Sequence, residues 1–392
     1  KIEEKNIVRS KEQAPYNFKN SEENIEPIIG VGAKIIENME ASLSIPTATS
    51  QRTILVKLLE ENRRIINYHL LKIGENKISY SHIVAFAVVK ALRHFNDLNN
   101  SFMFIDGKPQ LVRKDSVNLG IAVGLIKKNG TRSLIVPNIK KSSNKNFFEF
   151  RKSYDELVNK AKQGKIEPDD FQGTTISITN PGGLGTVTSI PRLMTGQGCI
   201  IGIGAIDYPA EFKAMSQTSL ASLGIGKVMN ITNTYDHRII QGAASGEFLR
   251  EIDNLLRGND NFYENIFHDL KIPQMPVYWG VDTTSRSLNG NHSFEEIEKQ
   301  AKIHLLVNIY RVRGHLIANL NPLSYRSEYY KELDPATYGF TIWDYDREFV
   351  SNVKGLERAT LRKILDAIRQ TYSEMIGAEF MHIQHPDEKE WL

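Results

Sequence analysis

One histidine in this sequence stands where proteins often hold a reactive side chain. His237 lies in the stretch Thr234-Tyr-Asp-His-Arg-Ile-Ile-Gln-Gly242, between Asp236 and Arg238 and ahead of a glycine turn. A neutral imidazole can act as a general base because its pKa lies near the working pH. A lone histidine is more often structural, so the residues around His237 leave both a catalytic and a structural role open.

A second group of polar residues follows another apolar run. Thr179 and Asn180 end the pattern Thr175-Ile-Ser-Ile-Thr-Asn and precede the turn Pro181-Gly-Gly-Leu-Gly185. Neither G-x-G-x-x-G nor G-K-[ST] is present, which disfavours a phosphate-binding loop. A tight turn that aims Thr179 and Asn180 into a cleft is the better interpretation. The Thr179 hydroxyl could then donate a hydrogen bond to the oxyanion that forms when a thiol attacks a thioester.

Strands and helices predicted from the apolar pattern must position these groups. Residues 224–234 predict a strand that ends before His237, and apolar residues at helical spacing follow from Gly246. The almost wholly apolar segment 79–95 predicts a buried helix with Ser79 or Ser81 as its cap. Further elements are predicted on the same grounds: a helix from 30 to 43, a break at 45–50, a strand from 53 into a helix at 60–72, a hairpin at 102–112, central strands at 117–125 and 133–137, and helices at 146–162, 293–317 and 356–376.

Composition is typical of a globular protein, with 41% hydrophobic and 24% charged residues. The formal net charge of +3, from 49 basic and 46 acidic residues, is too balanced to indicate nucleic acid or a membrane surface as a partner. Apolar runs fall well short of the ~18–20 residues of a membrane helix. The single cysteine, Cys199, cannot form an internal disulfide, which fits a reducing, cytoplasmic compartment.

The length of 392 residues favours two or more domains. Residues 1–29 are polar and predict a flexible linker, and residues 30–271 form the first predicted domain. Residues 272–292 contain two prolines and predict a second linker, and residues 293–392 predict a mostly helical domain. The first and last residues carry no start or cap signal, so we expect a fragment of a longer protein.

The motif Asp236-His-Arg-Ile-Ile-Gln-Gly resembles the active-site signature of the dihydrolipoyl acyltransferases of 2-oxoacid dehydrogenase complexes. The segment Ile178-Thr-Asn180 with its glycine turn is similar to their oxyanion-stabilising segment. The resemblance implies an α/β (α+β) mixed-sheet fold like that of chloramphenicol acetyltransferase over the first domain. It also implies that His237 deprotonates a thiol while Thr179 stabilises the oxyanion. The implied reaction is succinyl transfer between a dihydrolipoyl group and coenzyme A, which both act as substrates.

The sequence departs from the family pattern H-x-x-x-D-G, because Gln241 replaces the acid before Gly242. A glutamine keeps hydrogen bonds but not the charge. With Arg192-Leu-Met-Thr-Gly-Gln-Gly198 and Tyr208-Pro-Ala-Glu-Phe212, this departure resembles one branch of the family. In that branch, the actinobacterial-type fused 2-oxoglutarate dehydrogenases, a succinyltransferase domain precedes a thiamine-dependent decarboxylase.

The other residues of the two motifs are expected to have supporting roles. Arg238 is expected to anchor the turn, and Asp236 to fix the loop geometry rather than orient the imidazole. Gln241, Gly242 and Asn180 are expected to support the site by polar contacts and by the turn itself.

The last part of the chain supports the fused branch. Tyr310-Arg-Val-Arg-Gly-His-Leu-Ile and Gly377-Ala-Glu-Phe-Met-His-Ile are similar to the N-terminal helical region of 2-oxoglutarate decarboxylase subunits. No G-D-G run occurs, so thiamine diphosphate and magnesium are expected only in a parent protein that continues beyond residue 392.

The implied partners are a lipoyl domain on another chain, dihydrolipoamide dehydrogenase, and further copies of this chain in a trimer with active sites between subunits. No metal site is expected in the chain itself, because neither H-E-x-x-H nor paired cysteine ligands occur. The alternative interpretation is a non-catalytic trimeric core or a regulatory coenzyme-A-binding module.

Overall fold

The computed structural model describes residues 27–126, 130, 132–283, 294–320 and 329–391. The linkers predicted over residues 1–29 and 272–292 therefore lie largely outside the described residues, which include only 27–29 and 272–283 of them. The α-helices are α1 (Val31–Ser42), α2 (Lys57–Lys72), α3 (Tyr80–Ala91), α4 (Phe147–Lys162), α5 (Gln217–Ser222), α6 (Gly242–Leu256), α7 (Phe262–Asp269), α8 (Phe294–Arg313), α9 (Leu361–Tyr372) and α10 (Pro386–Trp391). The β-strands are β1 (Thr47–Leu55), β2 (Ser101–Ile105), β3 (Lys108–Val112), β4 (Leu119–Ile121), β5 (Val123–Ile126), β6 (Arg132–Ile135), β7 (Asn138–Ile139), β8 (Ile176–Thr179), β9 (Cys199–Ile203), β10 (Val228–Asp236), β11 (Glu348–Val350) and β12 (Arg358–Thr360).

A mixed sheet in the strand order β1-β10-β9-β8-β4-β7 forms the centre of the first predicted domain. Strand β8 lies parallel to both β9 and β4, and the other neighbours are antiparallel. Helix α6 packs against β1 and β10, and α3 packs against α6. The main hydrophobic core lies between the sheet and these helices.

Helix α3 follows its prediction closely, because nearly all of its residues are apolar and buried. Ser79 caps the helix in a capping box with the side chain of His82 at its third position. Such a box satisfies backbone N–H groups that would otherwise lack partners at the helix start. The helix thereby gains both a fixed beginning and a buried body beside the sheet.

Several predicted elements differ from the structure. Helix α1 ends before the predicted break at 45–50, but the strand predicted from residue 53 begins earlier, because Thr47–Leu55 is one strand. This strand lies at the sheet edge, where polar side chains are tolerated, and Thr49 Oγ1 lies 2.9 Å from Thr234 Oγ1 on β10. The strand expected at 133–137 is not central, because Arg132–Ile135 pairs only with β5 in a hairpin beside the sheet.

A second hydrophobic core is built from α8, α9 and the segments between them. Ile303, Leu306 and Tyr310 of α8 pack with Ile364 and Leu365 of α9. The helix predicted from residue 356 begins later, at the start of α9, because β12 pairs with β11 just before it. This region is therefore mostly helical but contains a short hairpin.

The two cores are joined by residues 272–283, which we call the strap, and by helix α2. The strap has no helix or strand, yet Ile272 and Pro276 are buried within it. Lys57 on α2 pairs with Asp346 of the second core, and Glu61 on α2 pairs with Arg362. These half-buried ion pairs hold the second core against the first. Among the described helices, none is long and apolar enough to span a membrane.

Candidate active site

The His237 side chain is exposed, directly after the end of β10. Its backbone N–H donates to the carbonyl oxygen of Pro46 at 3.0 Å, which fixes the chain where β10 leaves β1. Its ring nitrogen Nδ1 lies 3.0 Å from the carbonyl oxygen of Ile240. A carbonyl can only accept, so this contact assigns the proton to Nδ1 and leaves the lone pair on Nε2. An imidazole held in this way can accept a proton at Nε2.

Asp236 and Arg238 form a closed pair beside the histidine. The Asp236 carboxylate is buried and accepts from Arg238 Nε at 2.9 Å and from Nη2 at 2.6 Å. It also accepts from the Arg238 backbone N–H at 3.1 Å. The guanidinium lies 3.9 Å from the centre of the Phe102 ring, a cation–π contact. The pair locks the turn, and the imidazole is oriented by Ile240 instead.

Thr179 is the last residue of β8 and is half-buried, with its backbone paired to Gly202 of β9. The exposed Asn180 donates from Nδ2 to Ser81 Oγ at 2.8 Å, which ties the turn to the beginning of α3. A Cβ at Gly182 would overlap the backbone of Gly204, so the turn needs glycine there to pack against the end of β9. These contacts hold the Thr179 turn in place.

The strand register shows how far His237 and Thr179 lie from each other in one chain. Thr179 pairs with Gly202, and Gly202 pairs with Thr232 of β10, so the three residues lie at one level of the sheet. His237 follows Thr232 by five positions. At ~3.4 Å per residue along a strand and ~4.8 Å between strands, the two groups are roughly 20 Å apart. One chain therefore does not bring them together.

Gln241 and Gly242 begin helix α6, immediately after the histidine turn. Gln241 is the exposed N-cap residue, and its side chain makes no capping hydrogen bond. A Cβ at Gly242 would lie 3.4 Å from the hydroxyl of Tyr235, whose ring stacks edge-on with His237 at 5.6 Å. The Gln241 amide is thus not used to cap the helix.

Sequence reasoning missed three groups that shape the site. The carbonyl oxygens of Pro46 and Ile240 act through the backbone, so their side chains give no signal. The sequence indicates Ser81 only as a possible helix cap, whereas in the structure its hydroxyl accepts a hydrogen bond from Asn180. The polar partner of Ser81 lies far away in sequence, and only the folded chain brings the two together.

The chain matches the family model of the 2-oxoacid dehydrogenases acyltransferase (catalytic domain) over residues 20–263, more than half of its length. It is 44% identical over 372 residues to a 2-oxoglutarate dehydrogenase E1/E2 component of Corynebacterium glutamicum, covering 93% of this chain and 30% of that protein. It is 46% identical over 367 residues to a multifunctional 2-oxoglutarate metabolism enzyme of Mycobacterium sp. (strain JLS), covering 93% of this chain and 28% of that protein. The chain thus spans less than a third of the length of these curated relatives.

Solved structures resemble a large part of the chain. A dihydrolipoamide acetyltransferase of Azotobacter vinelandii, studied for the catalytic roles of a serine, a histidine and an asparagine, matches with a TM-score of 0.53 and 24% identity. The match covers 62% of this chain and 95% of the acetyltransferase chain. The cubic core of a pyruvate dehydrogenase multienzyme complex matches with a TM-score of 0.53 and 25% identity, over 62% of this chain and 95% of that one. The predicted mixed-sheet acyltransferase fold is confirmed.

Proposed function

The chain belongs to the family of 2-oxoacid dehydrogenase acyltransferases, and on this basis we propose that it transfers a succinyl group between a dihydrolipoyl group and coenzyme A. The relatives that match nearly the whole chain are named for 2-oxoglutarate metabolism, which favours the succinyl group over other acyl groups. The one observation that carries the proposal is the exposed imidazole of His237, held through Nδ1 by Ile240.

The proposed step is direct acyl transfer between two thiols. Nε2 of His237 accepts the proton of the attacking thiol, and the sulfur forms a bond to the thioester carbonyl carbon. The carbonyl becomes an oxyanion, which the Thr179 hydroxyl stabilises with a hydrogen bond. The intermediate collapses, the original carbon–sulfur bond breaks, and the leaving sulfur takes the proton back from His237. No covalent acyl-enzyme is required.

The proposed site is completed by a second copy of the chain. Within one chain, His237 and Thr179 lie at opposite ends of β9, roughly 20 Å apart by the strand spacing. A hydrogen bond to the oxyanion needs a separation of about 3 Å from the reacting atom. Head-to-tail packing of copies in a closed ring, such as a trimer, would bring His237 of one copy to Thr179 of the next. A cubic core among the similar structures supports such an assembly.

The neighbouring residues have proposed supporting roles. Asp236 and Arg238 fix the turn that presents His237, and Asn180 fixes the turn after Thr179 through Ser81. The Azotobacter vinelandii enzyme was studied for a serine and an asparagine beside its histidine, a hydroxyl and an amide. Thr179 and Gln241 offer the same two functional groups. A glutamine at position 241, in place of the family carboxylate, is therefore compatible with acyl transfer.

Measurement of succinyl transfer from succinyl-coenzyme A to dihydrolipoamide tests the proposal. We expect His237→Ala to lower kcat by 100-fold or more, about the contribution of a general base. Thr179→Ala should lower kcat by about 10- to 1000-fold, whereas Thr179→Ser, which keeps the hydroxyl, should retain most activity. The matched control is His268→Ala, because His268 is exposed on α7. A near-wild-type rate for His237→Ala would overturn the assignment.

In the whole protein, we propose that residues 30–271 form the acyltransferase domain, 272–292 a connection, and 293–392 the beginning of a decarboxylase component. The family model ends at residue 263, while the relatives match nearly the whole chain, and the second hydrophobic core begins with α8. The decarboxylase component would use thiamine diphosphate and magnesium outside this chain. A lipoyl domain on another chain and dihydrolipoamide dehydrogenase would be cytoplasmic partners.

The second candidate is a non-catalytic core or a regulatory coenzyme-A-binding module, favoured by the Gln241 departure from the family carboxylate. Gln241→Asp distinguishes the two candidates, because it restores that carboxylate. If the natural glutamine supports catalysis, the unaltered chain transfers succinyl groups and Gln241→Asp changes kcat by less than about tenfold. The regulatory candidate would be favoured if the unaltered chain binds coenzyme A without turnover and Gln241→Asp gains turnover.

A further inference from the structure

A cavity of about 360 Å³ lies under the strap, between the two cores. Its walls come from the strap, from α8 and α9, and from the segment 329–345. They include the aromatic rings of Tyr278, Trp279, Tyr310 and Phe340. Small-molecule sites are typically concave, largely apolar and about 300–1,000 Å³ in volume. The cavity has the size and lining of a site for a small organic molecule.

One guanidinium lines this apolar cavity. Arg369 of α9 donates from Nε to the hydroxyl of Tyr310 at 3.3 Å. Among the described residues, no carboxylate forms an ion pair with Arg369, and the nearby carboxylates are already engaged. Asp366 accepts from Arg64 at 2.8 and 3.0 Å. Asp334, which also lines the cavity, accepts from the Ala336 N–H at 2.9 Å and from the Tyr329 hydroxyl at 3.0 Å. A charge in apolar surroundings is costly unless an opposite charge accompanies it.

A second polar residue, Ser373, lies at the wall of the same cavity. Ser373 follows directly after the last residue of α9, four positions beyond Arg369. Its hydroxyl oxygen is buried and has no hydrogen-bond partner within the described part of the chain. Buried hydroxyls are nearly always hydrogen-bonded. This one, close in sequence to a guanidinium that has no ion-pair partner among the described residues, therefore indicates a missing acceptor. Each of the two groups is a hydrogen-bond donor that can take a further acceptor.

We propose that this cavity binds a small organic anion, with a carboxylate or phosphate held by Arg369 and Ser373 and an apolar or aromatic body against the rings. The flat guanidinium fork matches a carboxylate or a phosphate, and aromatic walls suit a flat apolar body. A ligand there contacts the strap and both helices of the second core. Binding would therefore stabilise the contact between the two cores. The site uses none of the residues of the proposed acyl-transfer site.

Titration of the 392-residue chain with phenylacetate, phenyl phosphate and the neutral 2-phenylethanol tests the proposal. Tryptophan fluorescence reports binding, because Trp279 lines the cavity and its ring centre lies 5.9 Å from that of Trp343. Thermal unfolding reports stabilisation. We expect saturable binding of at least one of the two anions and much weaker binding of the alcohol. The stronger of the anions identifies the head group as carboxylate or phosphate.

Three variants decide whether the two polar groups hold the anion. Arg369→Met keeps the side-chain length without the charge and should weaken anion binding by about tenfold or more, the loss of a hydrogen-bonded charge. Ser373→Ala removes a hydroxyl that has no partner, so the fold should be unaffected while anion binding weakens about three- to tenfold. Arg250→Met, at an exposed position on α6, is the matched control and should bind like the unaltered chain.

Several results would overturn the proposal. They are equal binding of the alcohol and the anions, no saturable anion binding at millimolar concentrations, and unchanged affinity in a folded Ser373→Ala variant. Because the readout is binding and not succinyl transfer, these results are independent of the proposed acyl-transfer activity.

Discussion

Replacement of Asn62 by alanine should release the strap from helix α2. Asn62 is fully buried; its Nδ2 donates to the Val277 carbonyl at 3.0 Å, and its Oδ1 accepts from the Val277 N–H at 2.8 Å. Alanine leaves both backbone groups without a partner, and each buried unpaired group costs about 1–3 kcal/mol. Val277 is only half-buried, so water can replace part of the loss. We expect the free energy of unfolding to fall by about 2–4 kcal/mol.

Denaturant unfolding measures this loss, and hydrogen exchange of residues 273–283 shows where it acts. Exchange in the strap should accelerate in Asn62→Ala, whereas exchange in the central strands should change only with global stability. Asn159→Ala, at an exposed position of α4, is the matched control and should change stability by less than about 0.5 kcal/mol. A loss below about 1 kcal/mol with unchanged exchange in the strap would refute this account of the strap.

Two further predictions concern the packing of the chain. Burial alone raises the pKa of Asp346 and of Glu374, but neighbouring groups lower both below their usual values. Lys57 and Arg362 lower the pKa of Asp346. Lys72 and the Tyr68 hydroxyl lower that of Glu374. Such carboxylates contribute stability that is complete above their unfolded pKa values and is lost as pH falls through the lower folded values. The free energy of unfolding should therefore drop below about pH 4. Asp346→Asn should reduce this drop. Gly198→Ala should destabilise the chain by about 3 kcal/mol, because a Cβ there would overlap the carbonyl oxygens of Leu98 and Asn100. Thermal unfolding measures this change, and a variant as stable as the unaltered chain would show that the backbone can shift without cost.

The sequence predicts well the features that apolar patterns and short motifs indicate. The buried helix α3, the hairpin around Asp106-Gly107 and the strand before His237 each follow from local residue order. The family resemblance rests on the motif around His237, and both the family and the mixed-sheet fold are confirmed. The roles of His237 and Thr179 stay predictions, because similarity of fold does not test them.

The features that the sequence does not predict depend on contacts between distant residues. Strand β1 is polar, and its place in the sheet comes from pairing with β10 rather than from its own pattern. The Ile240 carbonyl that orients His237 has no side-chain signature. Asn62 lies on a helix surface whose burial depends on the strap, 215 residues further along the chain. In each case the partner, and not the local sequence, determines the structure.

The most direct test of the central claim is activity in mixed assemblies of two inactive variants. His237→Ala chains keep Thr179, and Thr179→Ala chains keep His237. If each site takes one residue from each of two copies, random assembly of a 1:1 mixture leaves about one quarter of the sites intact. Co-refolded mixtures should therefore recover succinyl transfer to roughly a quarter of the unaltered rate. Mixed assemblies no more active than either variant alone would contradict a site shared between two chains.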